Sequence, residues 1–262
     1  MNILFVGDVV GKVGRKALTQ NLNFIQDKYD VSFTIVNGEN ITNGRGMIKN
    51  HYLFLKDLGV DCVTLGNHYK DKDEIKKFIG DNNDIIRPLN LLNEYPGNGT
   101  SLFDVDGVKI RVTNLLGSAF MNGEVKDIYD SISSVISEDE SDIHIIDFHA
   151  EATGEKKAFA YSLKSTVTAV IGTHTHVQTR DAQILNTGVA YISDVGMCGS
   201  YNSVLGDEIN SVVNKIIHHD ETSRFKLLDD DDSVFSAVVI NVDDFSFTAK
   251  EIIPIYIINK KG

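Results

Sequence analysis

Two histidines lie two residues apart in Gly172-Thr173-His174-Thr175-His176, directly after the apolar run 167–171. A buried strand that ends at Gly172 would carry both imidazoles at its mouth, because alternate residues of extended backbone point to the same face. Two imidazoles on one face suit one metal ion or two adjacent metal ions. An isolated His-x-His pair is more often part of a surface turn, so the rest of the chain decides between these interpretations.

Polar side chains follow four other apolar runs in the same way. In open α/β sheets, functional groups gather beyond the carboxyl ends of the strands. Taken singly, each residue has a structural explanation. Asp8 could cap the following helix, Asn67 could be a turn residue and His149 could be a core histidine that is hydrogen-bonded to backbone. Taken together, they indicate a metal site with oxygen and nitrogen ligands and no thiolate, which favours iron, manganese or zinc. The residues are Asp8, Glu39, Asn40, Asn67, His68 and His149.

The elements that must position these residues alternate between strands and helices, which is typical of a largely parallel sheet. In the middle of the chain, Asp106-Gly107 predicts a hairpin between two strands. We expect one domain over residues 1–262 with an α/β fold built on two sheets. The predicted strands are 2–6, 32–36, 61–65, 101–105, 108–115, 143–148, 167–171, 189–192, 234–242 and 247–257, and the predicted helices are 14–29, 48–58, 71–79, 124–136, 155–163 and 208–218.

Composition narrows the range of partners and locations. A formal net charge of -12 makes a long nucleic acid an unexpected partner, whereas bound metal would locally favour a small anionic substrate. Cys62 and Cys198 read as free thiols, Cys62 in a strand and Cys198 in a glycine-rich loop, which fits a reducing compartment. The N-terminal segment lacks the features of a signal peptide, and no run is long enough to cross a bilayer. We therefore expect a cytoplasmic protein without a membrane partner.

Longer strings around these residues resemble the calcineurin-like metallophosphoesterases, and within them the YmdB-like branch. Two features depart from the wider superfamily: the usual first motif is Asp-x-His, whereas Asp8 is followed by Val9-Val10, and Glu39 replaces the usual bridging aspartate. Both departures are shared by the YmdB-like branch, in which an asparagine fills the vacant ligand position. The strings are Gly7-Asp8-Val9-Val10-Gly11, Asn37-Gly38-Glu39-Asn40, Gly66-Asn67-His68, Asp147-Phe148-His149-Ala150-Glu151-Ala152-Thr153, 172–179 and Asp194-Val195-Gly196-Met197.

The resemblance implies a metallophosphoesterase sandwich of two mixed β-sheets flanked by helices, and a site with two metal ions. It implies iron as the favoured metal, with manganese or zinc as alternatives, and it allows a homo-oligomer. His68 is not a ligand in this pattern but the proton donor. One metal would be held by Asp8, Glu39, Asn40 and His176, and the other by Glu39, Asn67, His149 and His174, so that Glu39 bridges them.

The implied activity is hydrolysis of a cyclic nucleotide phosphodiester, from a 2′,3′-cyclic nucleotide to a 3′-nucleotide. Two adjacent metals can share a water, lower its pKa to about 7, and neutralise the phosphoryl oxygens during attack by the bridging hydroxide. His68 would then protonate the leaving ribose oxygen as general acid. Arg45, Arg87 and Arg180 are candidates for contacts to phosphate, although each is more often a surface or structural residue.

Two alternatives remain open from the residues alone. The same site would serve a phosphomonoesterase or 5′-nucleotidase, or it would let a regulatory protein bind a nucleotide through its metals without turnover. A proton donor at His68 favours an enzyme over a binding protein. Asp147 and Glu151 flank His149 and are candidates for orienting the metal ligands. His51, His144, His218 and His219 are expected to take no part in the site.

Overall fold

The computed structural model describes residues 1–261 and contains two β-sheets with five α-helices. The strands are β1 Asn2–Val6, β2 Asp8–Val9, β3 Val31–Asn37, β4 Cys62–Thr64, β5 Ile85–Ile86, β6 Thr100–Val105, β7 Val108–Leu116, β8 Ile143–His149, β9 Ala169–Thr173, β10 Gln183–Ile184, β11 Ala190–Ile192, β12 Met197–Ser200, β13 Ser233–Val242 and β14 Ala249–Asn259. The helices are α1 Gly11–Lys28, α2 Lys49–Asp57, α3 Ile128–Ser137, α4 Thr153–Ser162 and α5 Ile209–Ile216.

Both sheets are mixed, as the sequence predicts. The first has the order β2-β12-β13-β1-β3-β4-β5, with β14 also paired to β13. Within it β1, β3, β4 and β5 are parallel, whereas β13 is antiparallel to β1, β12 and β14. The second sheet has the order β10-β11-β9-β8-β7-β6, with parallel central strands and antiparallel strands at both edges.

The alternation of side chains along the strands places the sheets face to face with helices outside. In β1, Ile3 and Phe5 join a core shared with the second sheet, while Leu4 and Val6 pack in the cluster that contains α1. Successive strand residues point to opposite faces, so a strand buried on both faces reads as a continuous apolar run. Helices α3 and α4 cover the outer face of the second sheet in a third cluster. The helices therefore flank the two sheets, which confirms the predicted layering.

Local differences from the prediction have physical causes. Helix α1 begins at Gly11, three residues before the predicted start at residue 14. The sequence pattern misses this first turn because glycine has a low helix propensity, and both Gly11 and Gly14 lie in it. The segment predicted as a helix over 71–79 forms the 3₁₀ turns Asp73–Lys77 and Ile79–Asp81. Helix α3 begins at Ile128 rather than 124, where the Asp127 side chain accepts a hydrogen bond of 2.8 Å from the Asp130 N–H.

Several short strands escape the sequence analysis. Strands β2, β5, β10 and β12 have only two to four residues each, too few for a periodic pattern. Cys198 lies in β12 rather than in a loop, and both cysteines are buried and free. Among residues 1–261, none of the helices has the length and apolar character that crossing a bilayer requires.

The close packing of β9 against the chain near β11 leads us to predict that a larger residue at Gly172 destabilises the fold. A Cβ at Gly172 would lie 1.8 Å from the Ser193 carbonyl oxygen, so Gly172→Ala must push these segments apart. We expect a loss of about 2 kcal/mol or more of unfolding free energy, which lowers Tm by roughly 4–8 °C. Gly154→Ala is the matched control, because a Cβ there meets nothing within 4 Å. Equal melting temperatures for the two variants would contradict the prediction.

Candidate metal centre

The candidate site lies where the carboxyl ends of parallel strands from both sheets meet. Asp8 follows β1, Glu39 and Asn40 follow β3, and Asn67 and His68 follow β4 in the first sheet. His149 is the last residue of β8, and His174 and His176 follow β9 in the second sheet. Side chains from the second sheet contact side chains from the first across this edge. The structure thus brings together all the residues that the sequence analysis selected as ligands.

The loop that carries His174 and His176 is not extended, so that part of the prediction is wrong. Their φ angles are 103° and 65°, in the left-handed region that costs a non-glycine residue about 1–3 kcal/mol. The Asp194 carboxylate stabilises this loop by accepting hydrogen bonds from the Thr175 N–H at 2.9 Å and the Gly196 N–H at 2.8 Å. The two imidazoles reach the site through this turn rather than through strand alternation.

A buried lysine supports the same loop from below. Lys156 of α4 is fully buried, and its Nζ donates to the Thr173 carbonyl at 2.8 Å and to Asp194 Oδ2 at 3.0 Å. A buried charge needs a partner of opposite sign, and Asp194 supplies it. The sequence analysis missed Lys156, because nothing in a helical stretch with several charged residues marks one lysine as buried.

One group of donor atoms surrounds His149. Its Nε2 lies 2.9 Å from Asn67 Oδ1, 3.0 Å from Glu39 Oε1 and 3.1 Å from His174 Nδ1. A single ring nitrogen carries at most one proton and cannot satisfy three such neighbours. Donors of Glu39, His149 and His174 all lie within 4.8 Å of one another, which is the arrangement a shared cation requires. The residues therefore fit a metal ion with oxygen and nitrogen ligands.

A second group of donor atoms surrounds Asp8. His176 Nε2 lies 3.9 Å from Asp8 Oδ1 and 3.4 Å from Asn40 Oδ1. The Asp8 Oδ1 atom is fully buried and accepts no hydrogen bond from the described part of the chain. Buried polar atoms in native proteins are nearly always partnered, so the chemistry of this orphaned oxygen fits that of a metal ligand. The first group contains Glu39, Asn67, His149 and His174, and the second contains Asp8, Asn40 and His176.

Neighbouring groups orient these ligands. His176 Nδ1 lies 3.1 Å from the Leu205 carbonyl and His149 Nδ1 lies 2.9 Å from Thr173 Oγ1, so each ring presents Nε2 to the site. Thr173 Oγ1 donates in turn to Asp147 at 2.7 Å. Glu151 Oε2 lies 3.3 Å from His174 Nε2. Glu151 thus lies next to His174, whereas Asp147 acts on His149 through Thr173.

Gly66 allows the ligands to approach each other. A Cβ at this position would lie 2.3 Å from Glu39 Oε2 and 2.5 Å from His149 Nε2. The chain at the end of β4 therefore passes directly against the ligand atoms, and only glycine leaves the space. This explains why a glycine precedes Asn67 and His68.

The charges of the site shift the pKa values of its members strongly. Burial raises the pKa of Asp8, and burial raises that of Asp147 to about 6. Burial alone would lower the pKa of His149, but the Glu39 and Asp8 carboxylates raise it to about 9. Burial and the charge of His149 lower the pKa of His174 to about 3. In the metal-free protein, protonated His149 thus partly neutralises an excess of buried negative charge.

His68 lies at the site without the geometry of a ligand. Its backbone N–H donates to Glu39 Oε2 at 2.9 Å, and its Nδ1 lies 2.8 Å from Asp71 Oδ2. The ring lines a cavity of about 650 Å³ that also contains Glu39, Asn40, His174 and His176. Asp71 therefore orients the imidazole while its other nitrogen remains available to a molecule in the cavity.

The three candidate arginines and the other histidines differ in whether they line this cavity. Arg45 lines the cavity, whereas Arg87 donates to the Pro88 and Tyr95 carbonyls and Arg180 is not among the lining residues. His51 is paired with Thr42 and His144 with Thr113, and neither lines the cavity. Of the three arginines, only Arg45 is placed to contact a bound phosphate.

The fold and this edge of the sheets define a metallophosphoesterase of the two-sheet sandwich type. The model of the YmdB-like protein family matches residues 4–255, and the chain belongs to that family. A 2′,3′-cyclic-nucleotide 2′-phosphodiesterase from Bacillus subtilis is 39% identical over 246 residues, which cover 93% of this chain and 92% of the relative.

Two solved structures superpose over nearly the whole chain. A crystal structure of a novel phosphatase from Mycoplasma pneumoniae has a TM-score of 0.93 and 34% sequence identity. The superposition covers 99% of this chain and 94% of the phosphatase chain. A crystal structure of a hypothetical protein from Thermus thermophilus has a TM-score of 0.92 and 33% sequence identity. The superposition covers 99% of this chain and 100% of the Thermus chain.

The support of the histidine loop by Lys156 leads to a prediction. Lys156→Met leaves the Asp194 carboxylate buried without its cation, so the loop loses its anchor. We expect metal affinity to fall about 10–100-fold and unfolding free energy to fall by about 3–5 kcal/mol. Metal titration and thermal melting measure the two effects. Lys157→Met, one residue along the same helix and not fully buried, is the matched control. Unchanged metal affinity in Lys156→Met would contradict the positioning role.

The raised pKa of His149 predicts that metal binding releases a proton. Below pH 9 the metal-free imidazole carries a proton that the metal must displace, so affinity falls as pH is lowered, by up to about tenfold per pH unit. His174 is already neutral at pH 7 and contributes no proton. Calorimetry at pH 7.5 in buffers of different ionisation enthalpy should report release of the His149 proton, besides the proton of a metal-bound water whose pKa falls to about 7. A binding enthalpy independent of the buffer would contradict this.

Proposed function

We propose that the protein is a dimetal phosphodiesterase that hydrolyses 2′,3′-cyclic nucleotides to 3′-nucleotides. The observation that carries the proposal is the convergence of donor atoms around His149 beside the orphaned, buried oxygen of Asp8. Membership of the YmdB-like family supports the same conclusion, and the Bacillus subtilis relative is named for this reaction. Residues 1–262 form one metallophosphoesterase domain in this proposal, supported by the core that residues of both sheets share.

Two transition-metal ions complete the proposed site, with iron favoured and manganese or zinc as alternatives. Bound metals would neutralise the phosphoryl oxygens and acidify the attacking water. The first ion would be held by Asp8, Glu39, Asn40 and His176, and the second by Glu39, Asn67, His149 and His174. The absence of cysteine from this set favours these metals over copper(I).

His68 provides the proton for the leaving oxygen in this proposal. Asp71 holds Nδ1, so the opposite nitrogen can donate its proton into the cavity as a general acid. The Asp71 carboxylate also fixes the orientation of the ring, as a carboxylate next to a catalytic histidine does in other enzymes.

Arg45 assists binding of the substrate anion. Its side chain lines the cavity near the ligands, and the cavity volume of about 650 Å³ is ample for a nucleotide. A guanidinium can donate two parallel hydrogen bonds to two oxygens of a phosphate. A local positive field from Arg45 and the metals explains how a chain with a net charge of -12 attracts an anion.

The expected location and assembly remain predictions. The two buried free cysteines fit the reducing cytoplasm that the sequence suggests. A homo-oligomer and the lack of a long nucleic-acid partner are expectations that the proposal does not require.

The direct test is hydrolysis of 2′,3′-cyclic AMP by purified protein loaded with iron or manganese. We expect 3′-AMP as the product, identified by chromatography against authentic 2′-AMP and 3′-AMP. A panel of nucleoside monophosphates, run in parallel, separates the diesterase from a phosphomonoesterase or 5′-nucleotidase. Turnover of the monoesters alone, with both metals bound, would contradict the proposal. Tight binding without turnover would instead favour a nucleotide-binding regulatory protein.

The role of His68 predicts a loss that depends on the leaving group. His68→Gln should lower kcat for 2′,3′-cyclic AMP by about 10²–10⁴-fold. It should have a much smaller effect on a p-nitrophenyl diester, because p-nitrophenolate leaves without a proton. Metal content should not change, since only the backbone N–H of His68 contacts Glu39. His218→Gln is the control outside the cavity. Equal losses on both substrates would rule out the general-acid role.

A further inference from the structure

The cavity at the metal centre has an apolar wall that no metal ligand requires. Besides the donor residues, the lining includes Val10, Leu205, Phe225 and Leu227. Leu205 adjoins the site directly, because its carbonyl oxygen lies 3.1 Å from His176 Nδ1. The same short loop therefore orients a ligand histidine and places an apolar side chain beside it.

Backbone pairing fixes this wall in place. The Glu208 N–H donates to the Lys226 carbonyl at 2.8 Å, and the Leu228 N–H donates to the Gly206 carbonyl at 3.1 Å. Asp207 and Leu227 form an isolated β-bridge between the same two segments. Residues two apart on paired backbone share a face, so Phe225 and Leu227 both line the cavity.

Phe225 contributes little to the packed interior of the protein. Its side chain is 52% exposed and that of Leu205 is 49% exposed, and neither belongs to a core cluster of the described residues. An exposed aromatic ring at the edge of a functional cavity marks a binding surface rather than a folding requirement. Its flat face suits a planar ligand, and offset stacking of aromatic rings is favourable.

Given the proposed function, we propose that Phe225, backed by Leu205 and Leu227, is the platform on which the nucleobase of the substrate stacks. The phosphodiester would lie at the metal ligands, and the ribose would span the distance to the base. Asn43 and Asp207 line the same cavity and offer hydrogen-bonding groups to the edge of the base. Stacking accepts every base, because each has a π-face, so the platform selects nucleotides over other cyclic diesters more than one base over another.

The first experiment compares a substrate that has a base with one that lacks it. The ratio of kcat/KM for 2′,3′-cyclic AMP to that for glycerol 1,2-cyclic phosphate is measured in each variant. Phe225→Ala should lower this ratio on the order of tenfold, mainly through KM, and Phe225→Trp should restore it. Phe245→Ala is the matched control, since Phe245 is an exposed phenylalanine that does not line the cavity. An unchanged ratio in Phe225→Ala would overturn the platform while leaving the proposed function intact.

A second experiment decides the inference even if the proposed activity fails. The chain contains no tryptophan, so Phe225→Trp introduces a single fluorophore at the wall. Titration of the metal-loaded variant with 3′-AMP should quench its fluorescence by stacking, whereas ribose 3-phosphate should not. Phe245→Trp should respond to neither ligand. Two outcomes would overturn the inference. In the first, equilibrium dialysis shows that 3′-AMP binds but the fluorescence at position 225 is not quenched. In the second, 3′-AMP does not bind at all. If neither cyclic diester is hydrolysed, the proposed function fails separately.

Discussion

The structure depends on how it accommodates four carboxylates buried at one edge of its sheets. Asp8, Glu39, Asp147 and Asp194 are all almost completely buried there. Burying a charge is costly unless an opposite charge or hydrogen bonds compensate it. Lys156 compensates Asp194, and protonated His149 partly compensates the others in the metal-free protein. The remaining negative charge, including the orphaned oxygen of Asp8, requires cations, and this requirement connects the fold to its chemistry.

The fold meets that requirement by bringing strand ends of both sheets together. Parallel strands deliver their carboxyl ends to one edge, so Asp8, Glu39 and Asn67 come from one sheet while His149 comes from the other. The histidine loop would be strained alone, and the buried pair of Lys156 and Asp194 maintains it. The stability of the loop and the affinity of the site for metal are consequently coupled.

Much of this arrangement could be predicted, because apolar runs fix strands and strands fix where their ends lie. The positions of Asp8, Glu39 and His149 follow from that rule together with the family resemblance. The left-handed backbone at His174 and His176 could not be predicted, since it depends on hydrogen bonds to Asp194, which is distant in sequence. The burial of Lys156 could not be predicted for the same reason, because tertiary packing rather than helical periodicity decides it. The short strands β2 and β12 also depend on long-range pairing, β2 with β12 and β12 with β13.

We propose that two separate groups of donors hold two metal ions at this edge. Anomalous diffraction from crystals grown with manganese, measured on both sides of the metal absorption edge, tests it most directly. We expect two anomalous peaks per chain, with Glu39 between them. One peak should lie among Asp8, Asn40 and His176, and the other among Asn67, His149 and His174. A single peak, or peaks away from these residues, would contradict the account.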